Sequence, residues 1–163
     1  MNTAIYPGSF DPVTNGHLDI IERSTRIFDK VHVRIVQNVH KKNVFSVEER
    51  IEMVKESTKQ YQDKITVAHY EGLLVDLCES MQTYTIIRGL RALTDFDYEF
   101  QMAITNRLLN HKVDSVLFVT SNQYSYVSSS MVNEIASCHG NVEKMVPSGV
   151  NEKLILKYQD LRR

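Results

Sequence analysis

Four short segments carry side chains that suit the binding of phosphate groups, and each follows a run of apolar residues. The first, residues 6–17, reads YPGSFDPVTNGH. Its glycines at positions 8 and 16 let a ligand approach the backbone closely. The histidine at position 17 falls in a first helical turn, where the helix dipole favours neutral imidazole, and a neutral imidazole still donates one N–H to a phosphate oxygen. The plainer alternative is a pair of ordinary turns with His17 on the surface.

The other three segments add cations and hydroxyl groups. Lys41 and Lys42 follow the second apolar run, Arg88 and Arg91 flank a Gly-Leu pair after the fourth, and residues 124–130 (YSYVSSS) follow the fifth. Arginine binds phosphate in a bidentate manner, and a serine run at a helix start supplies both hydroxyls and backbone N–H groups. The alternatives are a solvated basic loop, arginines paired with a neighbouring helix, and a loop with one N-cap. Together, the four segments favour a small anionic ligand.

The apolar runs predict strands, and the stretches between them predict helices. The strand candidates are rich in Val and Ile and lie at residues 3–6, 31–36, 65–69, 85–87 and 113–119. The helix candidates have apolar residues at helical spacing and lie at residues 17–28, 47–59, 73–81, from 94, at 131–137 and after 151. Ser46 and Glu49 match a capping box at the start of the second helix.

This alternation predicts an α/β fold, a doubly wound (Rossmann-like) parallel sheet of about five strands with flanking helices. Residues 1–163 show no linker, repeat or shift in composition, so we expect a single domain. Open sheets of this kind bind ligands at the carboxyl ends of their strands. The four polar segments should therefore meet at one edge of the sheet.

Composition limits the class of protein. The 19 Lys and Arg residues are balanced by 20 Asp and Glu residues, so the chain lacks the basic excess of a nucleic-acid-binding protein. No apolar stretch is long enough to span a membrane, and the N-terminus lacks the pattern of a secretory signal. The two cysteines form no metal-binding or paired motif. We expect a cytoplasmic protein without nucleic-acid or membrane partners.

Two motifs resemble the signatures of the nucleotidyltransferase superfamily. Thr14-x-Gly16-His17 matches the T/H-x-G-H signature, and residues 127–130 (VSSS) resemble the I-S-S/T-S/T signature. More narrowly, the sequence resembles the bacterial phosphopantetheine adenylyltransferases, with which it shares stretches from residue 6 to about residue 135. The shared stretches are residues 6–17, FSVEER at 45–50, IRGLRA at 87–92, DFDYE at 95–99 and the serines at 128–130.

This resemblance implies transfer of adenylate from ATP to 4′-phosphopantetheine. The products would be dephospho-coenzyme A and pyrophosphate, in the penultimate step of coenzyme A synthesis. It also implies Mg²⁺ as a cofactor, a homohexamer built as a dimer of trimers, and feedback binding of coenzyme A in some members. We identify no set of metal ligands in the sequence, so we expect Mg²⁺ to arrive bound to the triphosphate.

The resemblance also assigns roles position by position. It implies catalytic roles for His17, Lys41 and Arg91. The implied ATP-binding residues are Ser9, Phe10, His17, Gly89, Leu90, Arg91, Glu99, Tyr124, Ser125, Tyr126, Val127, Ser128, Ser129 and Ser130. The implied substrate-binding residues are Ser9, Lys41, Leu73, Leu74, Arg88, Asn106 and Glu134. The family often has Thr at position 9 and sometimes Trp at position 124. Residues 37–40 depart from its commonest pattern, so Lys42 remains an alternative to Lys41.

The residues indicate direct in-line transfer. The substrate phosphate is largely a dianion at neutral pH, so it needs no general base. Catalysis then consists of positioning two anions and neutralising charge at the α-phosphorus. Three alternatives remain at this point: a mononucleotide adenylyltransferase or cytidylyltransferase of the same superfamily, a nucleotide-binding regulatory module without activity, and a nucleic-acid protein related to tRNA synthetases.

Overall fold

The computed structural model describes residues 1–36, 42–91 and 93–160, and these form one parallel sheet with helices on both faces. The strands are β1 (Thr3–Gly8), β2 (Lys30–Val36), β3 (Ile65–Tyr70), β4 (Thr85–Leu90) and β5 (Asp114–Val119). The helices are α1 (Asn15–Ser24), α2 (Val47–Ser57), α3 (Leu74–Met81), α4 (Leu93–Leu109), α5 (Ser129–Ser137) and α6 (Ser148–Asp160). Short 3-10 turns occupy Lys59–Tyr61 and Asn122–Tyr124. The predicted α/β fold and its five parallel strands are confirmed.

The strand order, β3-β2-β1-β4-β5, places β1 at the centre of the sheet. The chain moves outward from β1 to β3 on one side and then crosses back to β4 on the other. The order therefore reverses between β1 and β4, and the crevice at their carboxyl ends is the usual ligand site of such a sheet.

Both faces of the sheet are buried. Alternate residues of a strand point to opposite faces, so Ala4 and Tyr6 join a large core while Ile5, between them, joins a smaller one. The large core packs beneath α1, α2, α5 and α6, and the smaller one beneath α3. Burial on both faces explains why the strands read as nearly continuous apolar runs.

Two strands run further than the apolar pattern predicts. We expected β1 to end at Tyr6, but Pro7 and Gly8 still pair with β2. We expected β4 to end at Ile87, but Arg88 and Gly89 still pair with β5. The backbone pairing of a strand does not require apolar side chains. Arg88 therefore belongs to β4 itself, and its side chain extends from the strand rather than from the loop after it.

Several helix boundaries also differ from the prediction, most of all those of α1 and α6. Helix α1 ends at Ser24 rather than Phe28, because the N–H groups of Arg26 and Ile27 donate three residues back, to the carbonyls of Arg23 at 3.2 Å and Ser24 at 3.0 Å, instead of four. Helix α6 begins at Ser148, before Asn151, and the N–H groups of Val150 and Asn151 both donate to the Pro147 carbonyl. No helix among the described residues has the length and apolar character needed to cross a bilayer.

Candidate active site

A cleft of about 260 Å³ lies where the strand order reverses. Residues from β1, α1, β4, α4 and the segment after β5 line it, so the structure brings the first, third and fourth polar segments together. The lining residues are Tyr6, Pro7, Gly8, Ser9, Phe10, Thr14, Gly16, His17, Ile20, Arg88, Gly89, Arg91, Glu99, Thr120, Val127, Ser128, Ser129 and Ser130. This is the edge of the sheet at which the sequence predicted a ligand site.

Phe10 packs against the turn that leads from β1 into α1. This residue has a positive φ of 45° and its side chain is fully buried. Its ring lies edge-on to Tyr6 at 5.4 Å between centroids and to His17 at 5.0 Å. A Cβ at Gly8 would lie 2.9 Å from this ring, so only glycine fits there without displacing it. Phe10 thus supports the imidazole of His17 from beneath the cleft.

His17 is held by the cap of its own helix. The backbone N–H of Thr14 donates to His17 Nδ1 at 3.1 Å, and Thr14 Oγ1 accepts from the backbone N–H of His17 at 3.4 Å. Because Nδ1 accepts a hydrogen bond, the proton of the neutral ring resides on Nε2. Within the described part of the chain no hydrogen bond to Nε2 is found, so this N–H is available to a ligand.

Burial, reinforced by the positive charges of Arg91 and Arg88, lowers the pKa of His17 to about 4. The imidazole is therefore neutral at physiological pH, as the sequence predicted, although the prediction rested on the helix dipole. A neutral His17 with a protonated Nε2 is a hydrogen-bond donor. It is not a general base.

The two arginines of the third segment are both paired with α4. Arg88 makes two parallel bonds to Glu99, from Nε at 2.6 Å and from Nη2 at 2.7 Å, and its Nη1 donates to the Pro7 carbonyl at 3.2 Å. Arg91 Nε donates to Asp95 at 3.0 Å. In the free structure both arginines are thus paired with a neighbouring helix, which is the plainer of the two interpretations of the sequence. Both arginines nevertheless line the cleft.

The Arg88–Glu99 pair is largely sheltered from solvent. Burial alone would lower the pKa of Arg88, but its hydrogen bonds to Glu99 and the charge of that carboxylate outweigh burial and raise it. Arg88 is therefore a fixed cation, held against β1 on one side and α4 on the other.

The serine run begins α5. Ser128 is the N-cap, with its Oγ accepting from the backbone N–H of Met131 at 3.1 Å, and Ser129 Oγ donates to the Pro12 carbonyl at 2.8 Å. Our expectation had placed Ser130 before the helix, but the helix already begins at Ser129. The start of α5 thus lies across the cleft from the start of α1. Two helix N-termini at one cleft favour an anionic ligand.

Asp11 shapes the site but is fully engaged. Its two carboxylate oxygens accept from the backbone N–H groups of Val44 and Phe45, each at 2.9 Å. Glu99 lines the cleft, and both of its carboxylate oxygens accept from Arg88. Each of these four carboxylate oxygens thus already accepts a hydrogen bond, and the described residues contain no cluster of three or more potential metal ligands.

Other expected site residues lie outside the cleft. Leu90, Tyr124, Ser125 and Tyr126 do not line it, although Tyr124 packs beside Gly16. Leu73 is exposed and Leu74 packs on the smaller core. Asn106 is buried in α4, and Glu134 is exposed on α5. The structure does not bring these four residues to the cleft, and Lys41 lies outside the described residues.

Sequence reasoning missed several supporting residues. Arg50 is almost fully buried and its Nη1 donates to the Ser9 carbonyl at 3.0 Å, which fixes the turn above β1. Tyr6, Thr14, Ile20 and Thr120 line the cleft but were assigned no role. The Thr14–His17 capping box has the same spacing as the box at Ser46, so that pattern was the available signal.

Comparison with known proteins identifies the class. A family model described as Cytidylyltransferase-like matches residues 5–135. A putative nicotinate-nucleotide adenylyltransferase from Vibrio parahaemolyticus superposes with a TM-score of 0.71 over 98% of this chain and 97% of that one, at 17% identity. That identity is low enough that the likeness shows the fold alone. With the cleft and its two helix N-termini, the family match defines this chain as a protein of the cytidylyltransferase-like class.

Curated relatives narrow the class. Each of the following is named phosphopantetheine adenylyltransferase. The Clostridium perfringens protein is 44% identical over 162 residues, 99% of this chain and 98% of that one. The Dictyoglomus turgidum protein is 46% identical over 159 residues, covering 98% and 99%. The Dictyoglomus thermophilum protein is 47% identical over 158 residues, covering 97% and 96%. The chain belongs to the phosphopantetheine adenylyltransferase family.

Proposed function

We propose that this protein transfers the adenylyl group of ATP to 4′-phosphopantetheine, releasing pyrophosphate and forming dephospho-coenzyme A. The full-length relatives supply the reaction and the substrates. The observation in the structure that carries the proposal is the state of His17: neutral, with Nδ1 occupied and Nε2 bearing a proton beside two arginines. Such a group suits a reaction that develops negative charge on a phosphate.

The mechanism follows from what these residues are able to do. The substrate phosphate, already a dianion, attacks the α-phosphorus of ATP in line, and pyrophosphate leaves from the opposite side. His17 donates its Nε2 proton as a hydrogen bond to an oxygen of the five-coordinate phosphorus. Arg91 and Lys41 contribute positive charge, and Arg88 holds a substrate phosphate. In this scheme Glu99 acts indirectly, by fixing the guanidinium of Arg88.

Direct transfer is also favoured by the chemistry of the lining residues. His17 is unable to activate a serine as a base, because its Nε2 carries the proton and its pKa is about 4. Among the described residues Ser128 and Ser129 use their hydroxyls in helix and backbone contacts, and neither cysteine lines the cleft. We expect no adenylylated protein on the productive pathway.

Mg²⁺ enters the proposal as part of the nucleotide. Since the described residues contain no cluster of three or more potential metal ligands, the ion would be held by the triphosphate and water. Its chemistry would be to neutralise the charge of the phosphates.

Coenzyme A contains the phosphopantetheine arm, so we propose that it competes with the substrates for the same cleft. We also propose that the protein works in the cytoplasm, where it would meet these substrates.

The homohexamer is likewise a proposal, and an apolar face supports it. Phe100, Ile104 and Leu108 on α4 are exposed and line a groove of about 580 Å³ beside β5. Val119, on the same edge strand, is also exposed. A second copy of the chain would cover this face, since contiguous exposed apolar patches mark interaction surfaces. Light scattering is expected to give a hexamer, and a monomer mass would contradict the proposal.

The test of the reaction is mass spectrometry of two mixtures that contain the protein, ATP and Mg²⁺. One mixture holds 4′-phosphopantetheine, and the other holds nicotinamide mononucleotide. We expect dephospho-coenzyme A with an equal amount of pyrophosphate in the first mixture only. A dinucleotide in the second would keep the His17 chemistry and replace the acceptor. ATP binding without product in either mixture would support a binding module.

A further inference from the structure

The segment that leaves β5 carries a buried hydroxyl with no partner. Thr120 is 5% exposed and contributes to the wall of the cleft. Its Oγ1 is shielded from solvent, and no hydrogen-bond partner for it exists among the described residues. A buried hydroxyl without a partner destabilises the free protein, so such groups call for an explanation.

The backbone around Thr120 is fixed on both sides. The N–H of Thr120 donates to the Leu90 carbonyl at 2.8 Å. The preceding carbonyl, of Val119, accepts from Arg23 Nη1 at 2.8 Å, and the following residue, Ser121, donates from its Oγ to Asp19 at 2.8 Å. Asp19 and Arg23 are themselves paired on α1. The unpaired hydroxyl is therefore not the result of a loose loop.

At the cleft, Thr120 adjoins the apolar side chain of Ile20 and the bare backbone of Gly89. A Cβ built on Gly89 would lie 2.4 Å from Ile20 Cδ1 and 3.9 Å from Thr120 Oγ1, so these three residues meet at one place. Ile20 lies one helical turn beyond His17, away from the N-terminal N–H groups that attract anions. The wall at Thr120 is thus apolar apart from a single hydroxyl. Such a surface suits a nucleobase, whose faces are apolar and whose edges form hydrogen bonds.

We propose that the Thr120 hydroxyl is a specificity-determining contact to the adenine edge of ATP. The inference rests on the proposed function, since it takes ATP as the nucleotide. Thr120 lines the cleft, and rotation about χ1 redirects its hydroxyl without movement of the backbone. There it donates to a ring nitrogen or accepts from the amino group. ATP binding then satisfies a group that the free protein leaves unpaired.

The test compares Thr120→Val, which removes the hydroxyl at similar size, with Thr120→Ser, which keeps it. Calorimetry is expected to show that Thr120→Val raises the Kd for ATP about tenfold, the loss of one hydrogen bond, while Thr120→Ser stays within about twofold. The denaturation midpoint of free Thr120→Val is expected to stay level or rise. Thr58→Val is the matched control, because Thr58 is equally buried but its hydroxyl already donates to the Val54 carbonyl, far from the cleft. Its ATP affinity should be unchanged.

Two further ligands locate the contact on the nucleotide. Thr120→Val should weaken 2′,3′-dideoxy-ATP by the same factor as ATP and leave the Kd for inorganic tripolyphosphate unchanged. A loss confined to ATP would place the contact on the ribose, and an equal loss for tripolyphosphate would place it on the phosphates. Either result overturns the proposal, as does unchanged ATP affinity with a lowered midpoint. If the wild-type protein failed to bind ATP, the proposed function would be contradicted as well. The failure of the Thr120 proposal alone is distinguishable from this, because the wild type would then still bind ATP.

Discussion

Helices α1 and α2 begin with the same local structure, yet the two helix starts do different things. In each, an N-cap hydroxyl accepts from the backbone N–H of the third helical residue, whose side chain accepts from the N–H of the cap. In α2 the partners are Ser46 and Glu49, and Glu49 also accepts from Lys157 at 3.2 Å. In α1 the partners are Thr14 and His17. One capping box anchors a helix, and the other also fixes the tautomer of an imidazole in the cleft.

The difference lies in the surroundings of each box. Ser46 is exposed, whereas Thr14 is buried and lines the cleft with His17. A carboxylate at the third position takes part in ion pairs at the surface. The imidazole of His17 has two nitrogens. The N–H of the cap donates to Nδ1, so Nε2 carries the proton and remains a hydrogen-bond donor in the cleft. A stabilising motif thus also orients a hydrogen-bond donor in the cleft when an imidazole replaces the carboxylate.

The largest expected effect comes from removing the ring. His17→Ala is expected to lower kcat by about 10²–10³-fold, as for other lost donors to a transition-state oxygen, with KM for ATP within about threefold. Steady-state kinetics on pyrophosphate release provides the measurement. Equal changes in kcat and KM would show instead that His17 serves ground-state binding alone.

The control for this variant is the corresponding position of α2. Glu49→Ala removes the same backbone contact from Ser46 but lies away from the cleft. Its kcat is expected to match the wild type, while the free energy of unfolding falls by about 1 kcal/mol. A marked loss of activity in Glu49→Ala would mean that the two boxes differ less than their surroundings indicate.

Much of this comparison was accessible from the sequence, because capping is local. The Ser46-x-x-Glu49 pattern predicted the α2 box correctly, and Thr14-x-x-His17 has the same spacing. The α1 box was missed because histidine is not the usual third residue of a capping box. The alternation of apolar runs similarly predicted the sheet, because a strand that is buried on both faces consists of consecutive apolar residues.

Contacts between distant residues left no such record. The Arg88–Glu99 pair joins a strand to a helix across 11 positions, and Asp19 reaches Ser121 across 102. Nothing in the sequence indicated that the carboxylate of Asp11 would accept from the backbone N–H groups of Val44 and Phe45. These pairings depend on which elements the topology brings together, so only the structure shows them.

The second prediction concerns the pH dependence of the free energy of unfolding, which should differ between the two capping boxes. The pKa of His17 is 6.5 in the unfolded chain and about 4 in the folded protein, so between these values the unfolded state binds a proton that the folded state does not. Stability is unaffected by His17 above this range and falls as the pH is lowered through it, by about 2 kcal/mol between pH 7 and pH 5. Partial burial opposes the charge of Glu49, but the Ser46 N–H and Lys157 outweigh it and lower its pKa. Glu49 therefore stabilises the fold above its usual value of 4.5, and this contribution is lost only at lower pH.

Denaturant unfolding of His17→Gln at pH 7 and pH 5 tests this window. Glutamine is able to serve as the third residue of a capping box and does not titrate, so the box is retained while the proton uptake is removed. The variant should lose about 2 kcal/mol less than the wild type between the two pH values. Glu49→Gln should behave as the wild type over the same interval. Identical pH dependence in His17→Gln and wild type would contradict the low pKa of His17.

The smallest effects separate the cap hydroxyls. Thr14→Ala and Ser46→Ala each remove one N-cap acceptor, and each is expected to lower the free energy of unfolding by about 1 kcal/mol. Only Thr14→Ala should also lower kcat, by about tenfold, because Thr14 Oγ1 lies 3.1 Å from His17 Nδ1 and its loss frees the ring to rotate away from the reacting phosphate. Thr14→Ser keeps the hydroxyl and should restore both properties. If Thr14→Ala lost stability but kept full activity, the backbone N–H of Thr14 alone would suffice to orient the imidazole, and the two caps would be equivalent in function as well as in geometry.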